Sequence, residues 1–270
     1  MATQQEKCKA FKDLHHTGEA FIVPNPWDPG SAKVLEGLGF KALATTSIGL
    51  AYTLGVADYE ISLDQLLAFC KALSSATNVP VTVDFENGFA TKPELVAKNM
   101  ERLFETGVAG CSIEDFDRDT RKVYDFTLAV ERIEAAVAAV STLDMPFQLT
   151  ARAENLLRGV ENLDDTVKRL KAFEAAGAHV LYAPAIRSLG QLKAVTSELS
   201  RPFNVLAPFI KGASVTELHD HGATRISLGG ALNWHAVSAI IRAGKEMLAT
   251  GTFDWTNDVA SKDEIKVLFG

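Results

Sequence analysis

PVTVDFENGFATKPELVAKNMERLFETGVAGCSIED, residues 80–115, contains two short apolar runs, PVTVDFE (80–86) and GCSIED (110–115), joined by an amphipathic stretch over 92–106 and by Gly107. The runs are nearly continuous in apolar character rather than alternating, as in strands whose two faces are both covered. A glycine directly after an amphipathic stretch is a helix stop. The segment therefore reads as strand, helix, turn, strand. The same turn chemistry recurs at Leu38-Gly39-Phe40 and Ala176-Gly177-Ala178, and Gly222 closes another helix before a strand. Working outward, further strands are predicted at FIVPNP (21–26), ALATTS (42–47), FQLTARAE (147–154), HVLYAPA (179–185), FNVLA (203–207) and RISLGG (225–230). Helices are predicted over 30–38, 62–77, 127–140, 161–176, 188–199, 214–221 and 232–249, with a leading helix within 1–16. Eight such units are the number of a (β/α)8 TIM-type barrel, here a single domain over 1–270. A doubly wound open sheet fits less well, because the position of its Gly-rich dinucleotide loop reads NPWDPGSA.

Composition sets the outer limits. The 270 residues are 47% hydrophobic and 23% charged, an ordinary globular balance that excludes a disordered or fibrous chain. No apolar run approaches the roughly 18 residues of a membrane span, and the polar start MATQQEKCKAFKDLHH carries no hydrophobic core of a secretory signal. With 34 acidic against 27 basic residues and no basic block, neither nucleic acid nor an anionic membrane is an expected partner. The three cysteines, Cys8, Cys70 and Cys111, are far apart and odd in number, which points to a reducing cytoplasm rather than to disulfides or a metal knuckle.

A barrel of this kind carries its chemistry at the C-terminal strand ends. Asp84 and Glu86 lie two apart on one strand and share a face, Glu114 ends the neighbouring strand, and Asp58 sits in the loop after ALATTS. Acids converging at one mouth repel one another unless a cation sits among them, and a hard divalent ion with oxygen ligands, Mg²⁺ or Mn²⁺, suits that set. The alternative is that these are solvated loop acids or helix caps, Asp58 above all. Arg152 interrupts an otherwise apolar strand, either paired with Glu154 or Glu114 or clamping a substrate carboxylate. The Thr45–Gly49 turn offers hydroxyls and N–H groups to an anion, or is an ordinary polar turn.

The motifs TTSIGLAYTLGVAD (45–58), PVTVDFENGF (80–89), GCSIED (110–115) and LTARAEN (149–155), in this order at successive strand ends, resemble the isocitrate lyase/phosphoenolpyruvate mutase superfamily, and within it the carboxyvinyl-carboxyphosphonate phosphorylmutase-like members. The resemblance implies a Mg²⁺-dependent barrel acting on small anionic 2-oxo or 2-hydroxy acids. It assigns Asp84 to direct metal contact and Asp58, Glu86 and Glu114 to the metal's waters. Arg152 falls to substrate carboxylate, and Thr46, Ser47 and Ile48 to the loop that cradles the substrate. It also implies homo-oligomers, often tetramers, in which the eighth helix (232–249) swaps between paired subunits.

Departures from the superfamily patterns narrow the activity. The loop after GCSIED lacks the Lys-(Lys/Arg)-Cys-Gly-His motif of isocitrate and methylisocitrate lyases, and Leu43 stands near the position of their tyrosine base. Arg121 and Lys122 remain in a segment shorter than the Asn-containing loop of the mutases, and Pro184 lies near the place of a mutase histidine. Tyr52, Tyr124 and His235 are weak candidates for a proton donor. The expectation is a Mg²⁺-dependent lyase, decarboxylase-like, cleaving a C–C bond of a 2-oxo acid such as oxaloacetate through a metal-stabilised enolate. The alternatives are C–P chemistry on a phosphonopyruvate-like compound using Arg121 or Lys122, and a catalytically silent oxo-acid-binding barrel. Residues 116–126 are expected to form a mobile lid that carries Arg121 or Lys122 toward the substrate anion.

Overall fold

The computed structural model of the protein describes residues 1–269. Its strands are, in chain order, β1 (Phe21–Val23), β2 (Leu43–Ala44), β3 (Val81–Asp84), β4 (Gly110–Glu114), β5 (Phe116–Asp117), β6 (Lys122–Val123), β7 (Gln148–Arg152), β8 (Val180–Tyr182), β9 (Phe203–Leu206) and β10 (Arg225–Ser227). Eight of them form one parallel sheet in the order β1-β10-β9-β8-β7-β4-β3-β2. The two outer members are joined where the Ala44 N–H donates to the Pro24 carbonyl at 3.0 Å, so the sheet closes into a barrel. Asn25 ties the same seam at the mouth. Its Nδ2 donates to the Thr45 carbonyl at 2.9 Å, and its Oδ1 accepts from the Leu228 N–H at 2.8 Å.

The helices are α1 (Gln4–Leu14), α2 (Pro29–Gly37), α3 (Ser47–Thr53), α4 (Leu63–Ala76), α5 (Pro93–Phe104), α6 (Phe126–Ser141), α7 (Leu163–Ala175), α8 (Leu189–Thr196), α9 (Val215–Asp220), α10 (Ala231–Thr250) and α11 (Lys262–Phe269). Gly39, Gly107, Gly177 and Gly222 all adopt positive φ, 84° to 101°, the left-handed conformation that lets the chain leave a helix and enter a strand. Three elements depart from the sequence expectation. The 45–49 turn runs into α3, capped by Thr46. The loop after β4 is an antiparallel hairpin of β5 and β6. A C-terminal helix, α11, packs back on α2, where a Cβ on Gly37 would lie 2.8 Å from the Leu268 carbonyl oxygen. α3 and the two-residue strands of the hairpin are too short for a clear period, whereas the two-turn α11 is not among the expected helices.

α1 plugs the barrel floor. Phe11 is fully buried, edge-on to Phe21 and His15 with ring centroids 6.4 and 4.8 Å away. A Cβ on Gly110 would meet the Gln148 carbonyl oxygen at 2.6 Å and the Phe11 ring at 3.0 Å, so β4 admits only glycine where the plug packs. His15 is buried, donating from Nδ1 to the Phe11 carbonyl at 2.7 Å. Burial, and then the Arg225 charge, push its imidazole down to about 3. The native state therefore holds it neutral, while the unfolded chain takes up a proton below about pH 6.5. Stability from this group is complete above that pH and is lost as pH falls toward 3. In a urea-melt series from pH 7 to 4, His15→Gln should flatten the acid-side decline; an unchanged slope contradicts the assignment.

α10 lies largely outside the barrel wall. Of its twenty residues Asn233 alone is buried, while Trp234, Ile240, Ile241 and Leu248 are exposed.

Candidate active site

The strand ends of β2, β3, β7, β8, β9 and β10 enclose a cavity of about 220 Å³ that opens at the barrel mouth. Thr46, Ser47 and Ile48 form one wall, with Asp58, Asp84 and Arg152 lining it as well. The cap of α3 sets the first wall, since the Thr46 side chain accepts from the Gly49 N–H. A Cβ on Gly49 would lie 2.9 Å from Trp27 Cβ, so glycine lets α3 sit close. Ser47 reaches both acids: its N–H lies 3.4 Å from Asp84 Oδ2 and its Oγ donates to Asp58 Oδ1 at 3.2 Å. Burial, and then the Asp84 charge, raise the Asp58 carboxyl above its ordinary range.

Arg152, at the end of β7, makes the ion pairs that were one of its two expected roles, and it also lines the cavity. Its Nη1 is 3.4 Å from Asp84 Oδ1, its Nη2 3.3 Å from Glu114 Oε2, and its Nε pairs with Glu154 Oε1. Burial works against its charge, but these three carboxylates hold it protonated, well above the usual guanidinium value. Glu114 is 2% exposed and stands behind Arg152, off the cavity surface. Burial, against the pull of Arg152, pushes its carboxyl well up.

Glu86 is also set back. It adopts φ +47°, a left-handed conformation that costs energy for a side chain other than glycine. Its carbonyl accepts the Glu114 N–H at 2.8 Å, and the buried Arg132 guanidinium holds the loop by donating to the carbonyls of Asn87, Ala90, Thr91 and Glu114. Arg118 Nη1 lies 3.0 Å from Glu86 Oε2, yet neither carboxylate oxygen accepts a hydrogen bond, and burial raises this carboxyl to about 8.

Sequence reasoning missed four participants. Tyr59, with φ +69°, donates to Glu114 Oε1 at 2.9 Å and lines the cavity. Arg158 pairs with Glu154 at 2.7 Å, stacks on Phe116 at 3.6 Å and contacts the Tyr59 hydroxyl. Arg118 and Arg132 complete the set. Each comes from a different loop or helix, so only the fold juxtaposes them; the one sequence hint is that Arg158 follows Glu154 by four. Arg121 and Lys122 are placed in the β5–β6 hairpin, off the cavity lining, with Arg121 over the Tyr59 ring at 4.6 Å. Tyr52 and His235 are exposed, Tyr124 bonds Asn87 and Thr91, and none of the three lines the cavity.

Among the described residues no three His, Cys, Asp or Glu side chains converge as direct ligands of one ion. A caged metal is thereby disfavoured. A hydrated hard cation on one or two carboxylates fits, since Asp58 and Asp84 repel across the cavity wall and the Glu86 oxygens lack donors that bound waters would supply.

The phosphoenolpyruvate phosphomutase family model matches residues 11–248, and the chain belongs to that family. A solved structure from Burkholderia cenocepacia J2315, assigned no further than lyase or mutase, is 43% identical, with 99% of this chain and 96% of that one covered and a TM-score of 0.94. An oxaloacetate decarboxylase from Paraburkholderia xenovorans (strain LB400) is 30% identical over 74% of this chain and 67% of its own. The structure of oxaloacetate acetylhydrolase with its product oxalate is 25% identical, covering 99% and 95%, with a TM-score of 0.88. The protein is an enzyme of the isocitrate lyase/phosphoenolpyruvate mutase type, with the TIM-type barrel expected. No described helix is long and apolar enough to cross a membrane.

Proposed function

We propose that the enzyme is a Mg²⁺-dependent lyase that cleaves a C–C bond of a small 2-oxo acid of oxaloacetate size, in the manner of a decarboxylase. The observation that carries this is the single cavity lined by Arg152, Asp84, Asp58 and the Thr46–Ile48 wall, with neither cysteine nor histidine on its surface. Asp84 would hold Mg²⁺ (or Mn²⁺), with Asp58, Glu86 and Glu114 as its outer acids, and the ion would supply Lewis-acid polarisation of the 2-oxo group. Arg152 holds the substrate carboxylate, and its orientation is fixed by Glu154 at Nε. The Thr46, Ser47 and Ile48 wall receives the oxygen on which charge develops. Leu206, Phe209 and Trp234 add apolar surface to the same cavity. Loss of CO₂ begins without a protein base, which suits a site that lacks the lyase tyrosine and cysteine.

Measuring pyruvate formed from oxaloacetate beside phosphate released from phosphonopyruvate, both with Mg²⁺, tests the reading. Turnover of the first alone supports it; phosphate release alone supports C–P chemistry; tight binding of both without turnover supports a silent barrel. We further propose that the whole chain works as one barrel domain, in the cytoplasm, as the free buried cysteines suggest, and as a homotetramer in which α10 crosses to a partner barrel. The exposed apolar side chains of α10 support that assembly.

The hairpin remains the proposed lid. Arg118 and Arg158 already answer part of the charge that the sequence argument assigned to Arg121 and Lys122. If closure carries Arg121 off Tyr59 toward the substrate, replacing both Arg121 and Lys122 with Ala raises KM or lowers kcat at least about tenfold, roughly 1.4 kcal/mol. Unchanged kinetics would show that Arg121 and Lys122 do not reach the substrate.

A further inference from the structure

Below the acid cluster the cavity continues into the barrel, where layers of branched apolar side chains ordinarily fill the space. Here Thr82, Ser112, Asn204, Ser227 and Arg225 line it instead. Arg225 opens β10, is 4% exposed, and among the described residues has no carboxylate within ion-pairing distance. Its Nε donates to Asn204 Oδ1 at 2.8 Å and one terminal nitrogen donates to Thr150 Oγ1 at 3.0 Å, which fixes the guanidinium plane. The other terminal nitrogen, Nη1, has no hydrogen-bond partner. Near it lie the Phe11 ring, 6.0 Å from the guanidinium carbon, the neutral His15 and Tyr182. A buried cation without a counter-charge is costly, and every other buried guanidinium at the mouth has carboxylates or carbonyls around it. Burial lowers Arg225 to about 10, which leaves it charged at neutral pH.

We propose that Arg225, set by Asn204 and Thr150, is a second anion subsite at the floor of the cavity, and that it takes the distal carboxylate of a dicarboxylic substrate whose other end is held by Arg152. The position is consistent with one molecule reaching both: Arg152 and Arg225 line the same cavity, and Arg225 is tied to Thr150, which lies two residues before Arg152 on the inward face of β7. The subsite gives the lyase a preference for diacids over monoacids of the same 2-substituted head. It rests on the functional reading above, and it goes further by naming what selects the substrate.

The test uses binding rather than turnover. Malate and lactate share the 2-hydroxy acid head and differ in the distal carboxylate, so their affinities for the full chain with Mg²⁺, measured by calorimetry, give a ratio that does not depend on the fraction of active protein. The wild-type ratio is expected to favour malate at least tenfold. Arg225→Met should bring it within about twofold of unity while lactate affinity stays within twofold, and Arg225→Lys, which keeps the charge in the same shaft, should retain part of the preference. A malate preference that survives Arg225→Met overturns the proposal. If bromide binding is lost in that variant while the preference survives, the residue holds a free inorganic anion, and the dicarboxylate subsite is equally overturned. Wild-type protein that binds neither acid contradicts the functional reading itself and removes the basis for the subsite; one that binds both equally contradicts the subsite alone.

Discussion

Replacing Arg152 is expected to cost turnover and, where the positive charge is lost as well, stability. Arg152→Lys should lower kcat/KM for the 2-oxo acid about 10²- to 10³-fold, the range for losing a preorganised donor at a site of developing charge. An ammonium cannot serve Asp84, Glu114 and Glu154 from one plane, as the guanidinium does at 3.4 Å, 3.3 Å and through Nε. Arg152→Met goes further, because it leaves three carboxylates, two of them fully buried, without their shared cation. Breaking buried pairs in this way destabilises by about 3–5 kcal/mol. Urea melts at pH 7 separate the two effects: both variants should lose turnover, and the Lys variant, which keeps the charge, should lose less stability than the Met variant. If Arg152→Lys retains wild-type kcat/KM, the carboxylate clamp is wrong.

The second large effect belongs to Asp84→Ala. This side chain faces the cavity beside Asp58, whereas Glu86 and Glu114 stand back behind Arg118 and Arg152. Its loss should abolish Mg²⁺-dependent turnover and weaken Mg²⁺ binding by more than the roughly 10–100-fold expected when an outer partner is removed. Glu86→Ala and Glu114→Ala should fall within that smaller range. The same substitution takes a negative neighbour from Asp58, whose carboxyl Asp84 helps to raise, so Asp58 should ionise at lower pH in the variant. Calorimetric Mg²⁺ affinity unchanged by Asp84→Ala would show that the ion binds elsewhere.

The sequence was legible where physics is local. Continuous apolar runs, amphipathic spans and the glycines at 39, 107, 177 and 222 each carry their own signal, and eight repeats of that signal imply closure. Of the strand-end acids, Asp84 and Glu114 do end β3 and β4, but Glu86, expected on the same strand and face as Asp84, lies beyond β3 at φ +47° and off the cavity. What stayed out of reach was partnership. Arg118 meets Glu86 across 32 residues, Tyr59 meets Glu114 across 55, and Arg225 meets Thr150 across 75; no spacing within one element encodes such meetings. The sequence left Arg152 between ion pair and substrate clamp; the structure shows the ion pairs, with Nε committed to Glu154 and the terminal nitrogens facing Asp84 and Glu114 beside the cavity. α3 and the β5–β6 hairpin were missed because seven residues with an internal glycine, and strands of two residues, are too short to show a period.

Equilibrium binding of oxalate tests the central claim most directly. This planar dianion mimics the enolate left when a 2-oxo diacid loses its distal carbon, and a site built for that step binds such a mimic more tightly than the ground-state acid. With saturating Mg²⁺ the wild-type chain should bind oxalate at least about tenfold more tightly than pyruvate, and the preference should vanish when Mg²⁺ is chelated or when Asp84 is replaced by Ala. Equal binding of oxalate and pyruvate with Mg²⁺ present, or oxalate binding indifferent to the metal, would contradict a metal-assisted lyase acting on 2-oxo acids.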